Sequence, residues 1–264
     1  MTRNAPDTSH VGSKAGGPGA AGGFNFQHGV AALLGSHILA GFPPSELDEA
    51  TASQRIKQVH CEAPAATDDL VVVLEDGARL FMQCKRTLKM ETAAGSELGK
   101  TARQFVQQLQ RGARPDLGSV GRVFDCARDW LVLVVSSDAP KPVRCRLHDQ
   151  LVGLARLPAD DPKTAGAHAQ LDVLARHLSR CWEEEREIVL APADERLLLG
   201  RIRVWPLGAE PRHLACNGPL QSVLQRASDV GAAWTIIKED AAVAAEKRWC
   251  CTGLDLRRLL RDRR

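Results

Sequence analysis

The chain has 264 residues, 44% of them hydrophobic and 25% charged, which is enough apolar material for a large domain or a medium domain with an appendage. Aromatics make up 4% and Tyr is absent, which argues against a surface that stacks single-stranded bases on exposed rings. The net charge of +3, from 35 basic and 32 acidic residues, permits contact with a phosphate backbone without requiring it, because such contact depends on locally concentrated cations.

Residues 1–22 are small and polar, and such a segment buries too little surface to offset its chain entropy; it is expected to be a disordered leader. Its glycines follow no strand and precede no Gly-Lys-Ser/Thr, so a phosphate-cradling loop is excluded. From Phe24 onward, Phe26, Val30, Leu33, Leu34, His37 and Ile38 recur at helical steps, predicting a helix that ends near Gly41-Phe42-Pro43-Pro44. A strand is expected over Arg55 to Glu62. Asp68-Asp69 then opens the β-branched run Leu70 to Leu74, Glu75-Asp76-Gly77 offers a tight turn, and Arg79 to Lys85 returns as the second arm of a hairpin. A helix from Ser96 to Gln110 and an apolar strand from Trp130 to Ser136 complete an α/β core with a mixed central sheet, residues 23–157.

Residues 158–264 read as a mainly helical region packed on that core. Helices are expected near 146–155, 165–185, 193–200, 219–228 and 231–248, with a strand at Arg201 to Trp205 and a hinge at Pro158 to Pro162. Trp182, Trp205, Trp234 and Trp249 are expected to anchor this region. The final stretch from Leu254 to Arg264 reads as a helix in progress, leading to a possible further domain. Basic residues concentrate at Arg176 to Arg186, Arg201 to Arg212 and Arg257 to Arg264.

Eight cysteines include no CxxC pair, and no His stands at zinc-knuckle spacing from two of them, so a zinc site is not expected. With no signal peptide and no membrane-length apolar run, the expected location is cytoplasmic, with reduced, mostly buried thiols.

The chemistry concentrates in the hairpin. Phosphodiester hydrolysis needs a divalent cation on hard oxygen ligands, an activated water and a nearby positive charge. Asp69 stands at the start of one strand, and Gln83 and Lys85, two apart, share a face of the next. Asp69 abuts the apolar run and is preferred to Asp68 as the inward carboxylate. The plainer reading is an edge strand with a solvated Gln and Lys opposite a turn. Cys84 would face away from the pair as a packing residue. Neither His28, His37 nor His60 has a catalytic partner evident from spacing, and Ser136-Ser137-Asp138 matches no nucleophile elbow.

The stretch Gly23-Phe24-Asn25-Phe26-Gln27-His28-Gly29, then Glu62, Asp68-Asp69-Leu70 and Met82-Gln83-Cys84-Lys85, resembles the double-stranded DNA endonuclease domain of anti-phage defence proteins. These are effectors associated with CD-NTase signalling and with STAND-type NTPases, within the PD-(D/E)XK superfamily and more distantly Mrr-like. The resemblance covers residues 22–140. It implies a restriction-endonuclease-like core, Mg2+ (or Mn2+)-dependent cleavage of double-stranded DNA, activation as a homo-oligomer and a sensor in cis or in trans. Carried over, Asp69 and Gln83 would hold the metal, with Glu62 as a further carboxylate and Gln27 in support, and Lys85 would stabilise charge and orient water. Arg103 and Gln104, on the following helix, would meet DNA or form a solvated face. Gln83 departs from the usual acidic residue and brings no charge. That departure keeps open an alternative, a catalytically inactive oligomerisation or adaptor module.

Overall fold

The Asp76-Gly77 turn sets the geometry of everything near it. In the computed structural model, which describes residues 18–44, 53–63, 65–67, 69–111, 113, 121–156, 169–224, 226–248 and 250–263, the hairpin joins β2 (Leu70–Leu74) to β3 (Arg79–Lys85). Gly77 takes φ +85°, a left-handed conformation that costs a glycine little. The turn closes with Leu74 N–H donating to Ala78 O at 2.9 Å, while Asp76 Oδ1 accepts from Ala78 N–H at 2.9 Å. This fixes the register at Val73 opposite Arg79 and Leu70 opposite Met82.

Among the described residues six strands form one mixed sheet in the order β5-β4-β3-β2-β1-β6. β1 (Ile56–Cys61), β2 and β3 run as an antiparallel meander, while β4 (Trp130–Val135) and β5 (Ile202–Pro206) continue parallel to β3. The short β6 (Cys250–Thr252) pairs antiparallel with β1. The outermost strand on each side thus comes from the second half of the chain. That half is woven into the same sheet and does more than pack against it.

Period-two alternation divides the strand side chains between two cores. Leu70, Val72, Leu80, Met82, Val132, Val134 and Trp205 face α1 (Pro18–Ala40) and α8 (Ala227–Lys247). Val71, Phe81, Leu131, Leu133, Val135 and Val204 face α2 (Glu97–Gln110) and α4 (Ala169–Arg186). The result is a helix–sheet–helix sandwich. Val30 to Leu34 are buried in an unbroken run, which an amphipathic surface helix could not sustain; α1 lies between the sheet and an outer layer of helices. That outer layer includes α6 (Pro211–Cys216), α7 (Pro219–Val223) and α9 (Gly253–Asp262). The other face is completed by a π-helical turn (Pro142–Leu147), α3 (His148–Arg156) and α5 (Pro192–Gly200).

α1 begins at Pro18, within the stretch expected to be leader; residues 1–17 and the Pro158–Pro162 hinge lie outside the described residues. Trp205 and Trp234 are buried anchors, Trp182 lies partly buried under Arg186, and Trp249 is outside the described residues. Among the described residues no helix is long and apolar enough to cross a membrane.

At the start of β3, away from the site, the Arg79 and Asp129 side chains are both fully buried, with Nη2 to Oδ2 at 2.5 Å. The Arg79 fork also donates to Arg122 O and Val123 O, each at 2.8 Å, and Arg122 Nη2 reaches Asp129 Oδ1 at 2.7 Å. This satisfied network pins the loop before β4 to the entry of β3, so the two parallel strands share one register.

Candidate functional site

The hairpin register brings Asp69, just before β2, to the carboxyl end of β3. Its Oδ2 accepts from Gln83 Nε2 at 2.6 Å and from the Cys84 main-chain N–H at 2.7 Å. Gln83 is 3% exposed, and its Oε1 is buried with no hydrogen-bond partner. Turning the amide over would set two oxygens against each other, so the carboxylate holds the nitrogen toward itself and leaves the oxygen unpaired. A buried, unpaired amide oxygen costs about 1–3 kcal/mol, which is reason to ask what would pair with it.

Glu62, at the end of β1, takes φ +46°, a left-handed conformation uncommon for a residue with a side chain. Its main-chain N–H donates to Asp69 O at 3.0 Å. Gln27, 5% exposed on α1, donates from Nε2 to Glu62 Oε1 at 2.6 Å and to Asp69 O at 3.2 Å. Gln27, Glu62, Asp69 and Gln83 are therefore linked by direct hydrogen bonds. Asp68 lies outside the described residues.

Lys85 shares the Gln83 face and is half-buried, and its Nζ lies 3.2 Å from Glu97 Oε2. Glu97 went unnoticed in the sequence. It opens α2 immediately after Ser96, whose Oγ caps the helix by accepting from Gly99 N–H at 3.1 Å. A hydrogen bond from Lys100 at 2.8 Å, followed by the charge of Lys85, holds the Glu97 carboxyl below the usual range. The Ser-Glu start of a helix twelve residues after Lys85 was the available signal, and it says nothing of which strand end the helix would meet.

Arg103 and Gln104 lie further along α2. Arg103 is engaged by Glu184 and by Glu185 on α4, and the Gln104 main-chain oxygen accepts from Thr67 Oγ1 at 3.4 Å. Arg103, 42% exposed, is thus paired with α4, and the Gln104 main chain is tied to the segment just before Asp69. Cys84 packs on the opposite face, and burial, then the Asp69 charge, push its thiol well above the ordinary value, which suits packing and not nucleophilic attack.

The donor set fits a hard divalent cation: one carboxylate in Asp69, one unpaired amide oxygen in Gln83, and a second carboxylate in Glu62. It is carboxylate-poor, and among the described residues no three His, Cys, Asp or Glu side chains converge. The site lies where the parallel strands β3 and β4 end, the usual place for ligands in open α/β sheets.

No model of a known family matches the chain, and no curated protein matches it. Solved structures do. The Acinetobacter baumannii Cap4 SAVED/CARF-domain containing receptor with the cyclic trinucleotide 2'3'3'-cAAA aligns at TM-score 0.51 and 11% identity, over 90% of this chain and 44% of that one. The same receptor with 3'3'3'-cAAA aligns at TM-score 0.50 and 10% identity, again over 90% and 44%. The receptor structure described without a ligand aligns at TM-score 0.51 and 11% identity, over 90% and 46%. At this identity the likeness is one of fold, and the chain spans less than half the length of these receptors.

Proposed function

We propose that the chain is a metal-dependent endonuclease of the PD-(D/E)XK type that hydrolyses double-stranded DNA, acting as an effector in anti-phage defence. The observation that carries the reading is the unpaired, buried Gln83 Oε1 beside the Asp69 carboxylate at the end of β3. Asp69, Gln83 and Glu62 would hold Mg2+ (or Mn2+). Such an ion supplies Lewis-acid polarisation of a phosphate oxygen and lowers the pKa of a bound water.

The protein's own groups do the rest. The Cys84 N–H and the Gln83 amide hold the Asp69 carboxylate in a fixed direction. Gln27 ties Glu62 to the Asp69 main chain and acts as a positioning residue. Lys85 brings an ammonium to the same face as Gln83, where it stabilises charge developing on the phosphate; Glu97 holds it ready. The defence role rests on the sequence resemblance, and the fold of the Cap4 receptors accords with it. Activation would come from a sensor of the kind those receptors' names describe, on the same or another protein.

The test is cleavage of linear and circular duplex DNA with Mg2+ and with chelator. Cleavage in Mg2+ alone, lost in Lys85→Ala and Asp69→Asn, is expected; Lys85→Ala cutting at the wild-type rate overturns the reading. The neutral Gln83 favours a second reading, a nuclease-fold adaptor without catalysis. Calorimetry that finds no Asp69-dependent heat on Mg2+ titration would favour the adaptor.

A further inference from the structure

Arg86 follows Lys85 and points to the other side of the sheet, into a cleft of about 280 Å3 between the start of α1 and the loops after β3, β4 and β5. We infer that this cleft grips the phosphodiester backbone of duplex DNA and leads it to the Asp69–Gln83 site; the inference rests on the nuclease reading and names the surface that would hold its substrate.

Three cations from three elements line the cleft: Arg86 after β3, Arg212 on α6 and Lys238 on α8. Among the described lining residues two carboxylates accompany them, Asp138 and Glu210, which leaves a positive excess of one. Arg86 Nε lies 3.0 Å from Asp138 Oδ2, and both side chains are about half exposed. An exposed pair of this kind contributes little stability, so a phosphate can take the carboxylate's place at small cost. Beneath it the backbone is rigid: Ser136 Oγ donates to Arg86 O at 2.8 Å and accepts from Asp138 N–H at 3.1 Å. Lys238 Nζ donates to Asn25 Oδ1 at 2.6 Å, which orients its stem across α1. Among the described residues the exposed Arg212 guanidinium has neither hydrogen bond nor ion pair.

The ligand class follows from the lining. Phe26 and Trp234 border the cleft but are 8% and 5% exposed, so neither ring is available to stack a base. What remains is spaced positive charge, which reads phosphates without regard to sequence. Arg86 directly follows Lys85, so this charge begins at the end of the strand that carries Gln83, on the opposite side of the sheet.

The test is fluorescence anisotropy of a short labelled duplex in chelator, where no cutting occurs, with the salt dependence of affinity recorded. Arg212→Ala and Lys238→Ala should each weaken binding several-fold on unrelated duplex sequences and lower the log–log salt slope by about one. Lys238→Gln, which can keep a hydrogen bond to Asn25, should behave like Lys238→Ala if charge is what matters. Arg176→Ala, exposed on α4 in the opposite layer, should change neither quantity. Wild-type affinity and slope in both Arg212→Ala and Lys238→Ala would overturn the inference, as would a wild-type protein that binds no duplex. Binding that falls as stated while Mg2+ supports no cleavage would sink the nuclease reading and leave the cleft assignment standing; cleavage with unaltered variant binding would do the reverse.

Discussion

The Gln27 amide nitrogen joins Glu62 Oε1, 35 residues away, to the main-chain oxygen of Asp69, 42 residues away, at 2.6 and 3.2 Å. One neutral side chain on a buried helix thus holds a left-handed glutamate against the start of the neighbouring strand. The strain at Glu62 is kept because its surroundings fix it from two directions.

Glu62→Gly and Glu62→Ala both remove the carboxylate, but only glycine adopts φ +46° without penalty. Urea melts should show the glycine variant more stable than the alanine variant by up to about 1 kcal/mol, the αL cost offset in part by glycine's extra unfolded-state entropy. Both should be deficient in Mg2+-dependent cleavage. An alanine variant clearly the more stable of the two would mean the conformation carries no strain.

Gln83→Glu places a second carboxylate 3% exposed against Asp69. In chelator the variant should lose about 1–3 kcal/mol, because like charges crowd a site with little water. Added Mg2+ should restore most of that loss by pairing with both carboxylates, and denaturant midpoints with and without Mg2+ measure it. A deficit indifferent to Mg2+ would show that no cation is held between these two positions.

The Glu97 carboxyl is held below its ordinary value of 4.5 by Lys100 first and then Lys85. A lowered folded-state value means the stabilisation is fully present above 4.5 and disappears as pH falls through the lower folded value. Its side chain is 49% exposed, so screening limits the contribution to a few tenths of a kcal/mol. Glu97→Gln should therefore be slightly less stable than wild type at pH 7. The gap should shrink in acid and in high salt, as thermal melts across that range would reveal; a gap that widens in acid would contradict the assignment.

Asp129→Ala strands the Arg79 guanidinium in a site with no exposure on either side chain. The expected loss is about 3–5 kcal/mol, the cost of an uncompensated buried charge. Replacing both partners at once, with Arg79→Met and Asp129→Leu, should cost less than the single change. Denaturant melts of the two proteins decide this, and a double variant worse than Asp129→Ala would mean the network contributes more than charge compensation.

The hairpin was legible because its causes are local. Asp76-Gly77 specifies a turn, and alternation along Phe81, Gln83 and Lys85 assigns the polar pair to one face, so Asp69 had to arrive beside Gln83. The first helix was legible too, although its all-round burial blurred the period that usually marks a helix, and its start at Pro18 lay in a Gly-rich stretch that reads as leader. The destination of Lys85 was not legible, because Glu97 belongs to a separate element whose approach depends on how α2 packs against α4. Nor was the sheet's outer pairing. β6 is three residues long, too short to carry a periodic signal, and β5 reaches β4 only after an intervening run of helices. Turn chemistry and alternation act between neighbours, so the amino-acid order alone determined the pairing of Asp69 with Gln83. Contacts such as Gln27 with Glu62 form only when two apolar cores close on opposite faces of one sheet, and that cooperative burial is a property of the folded chain.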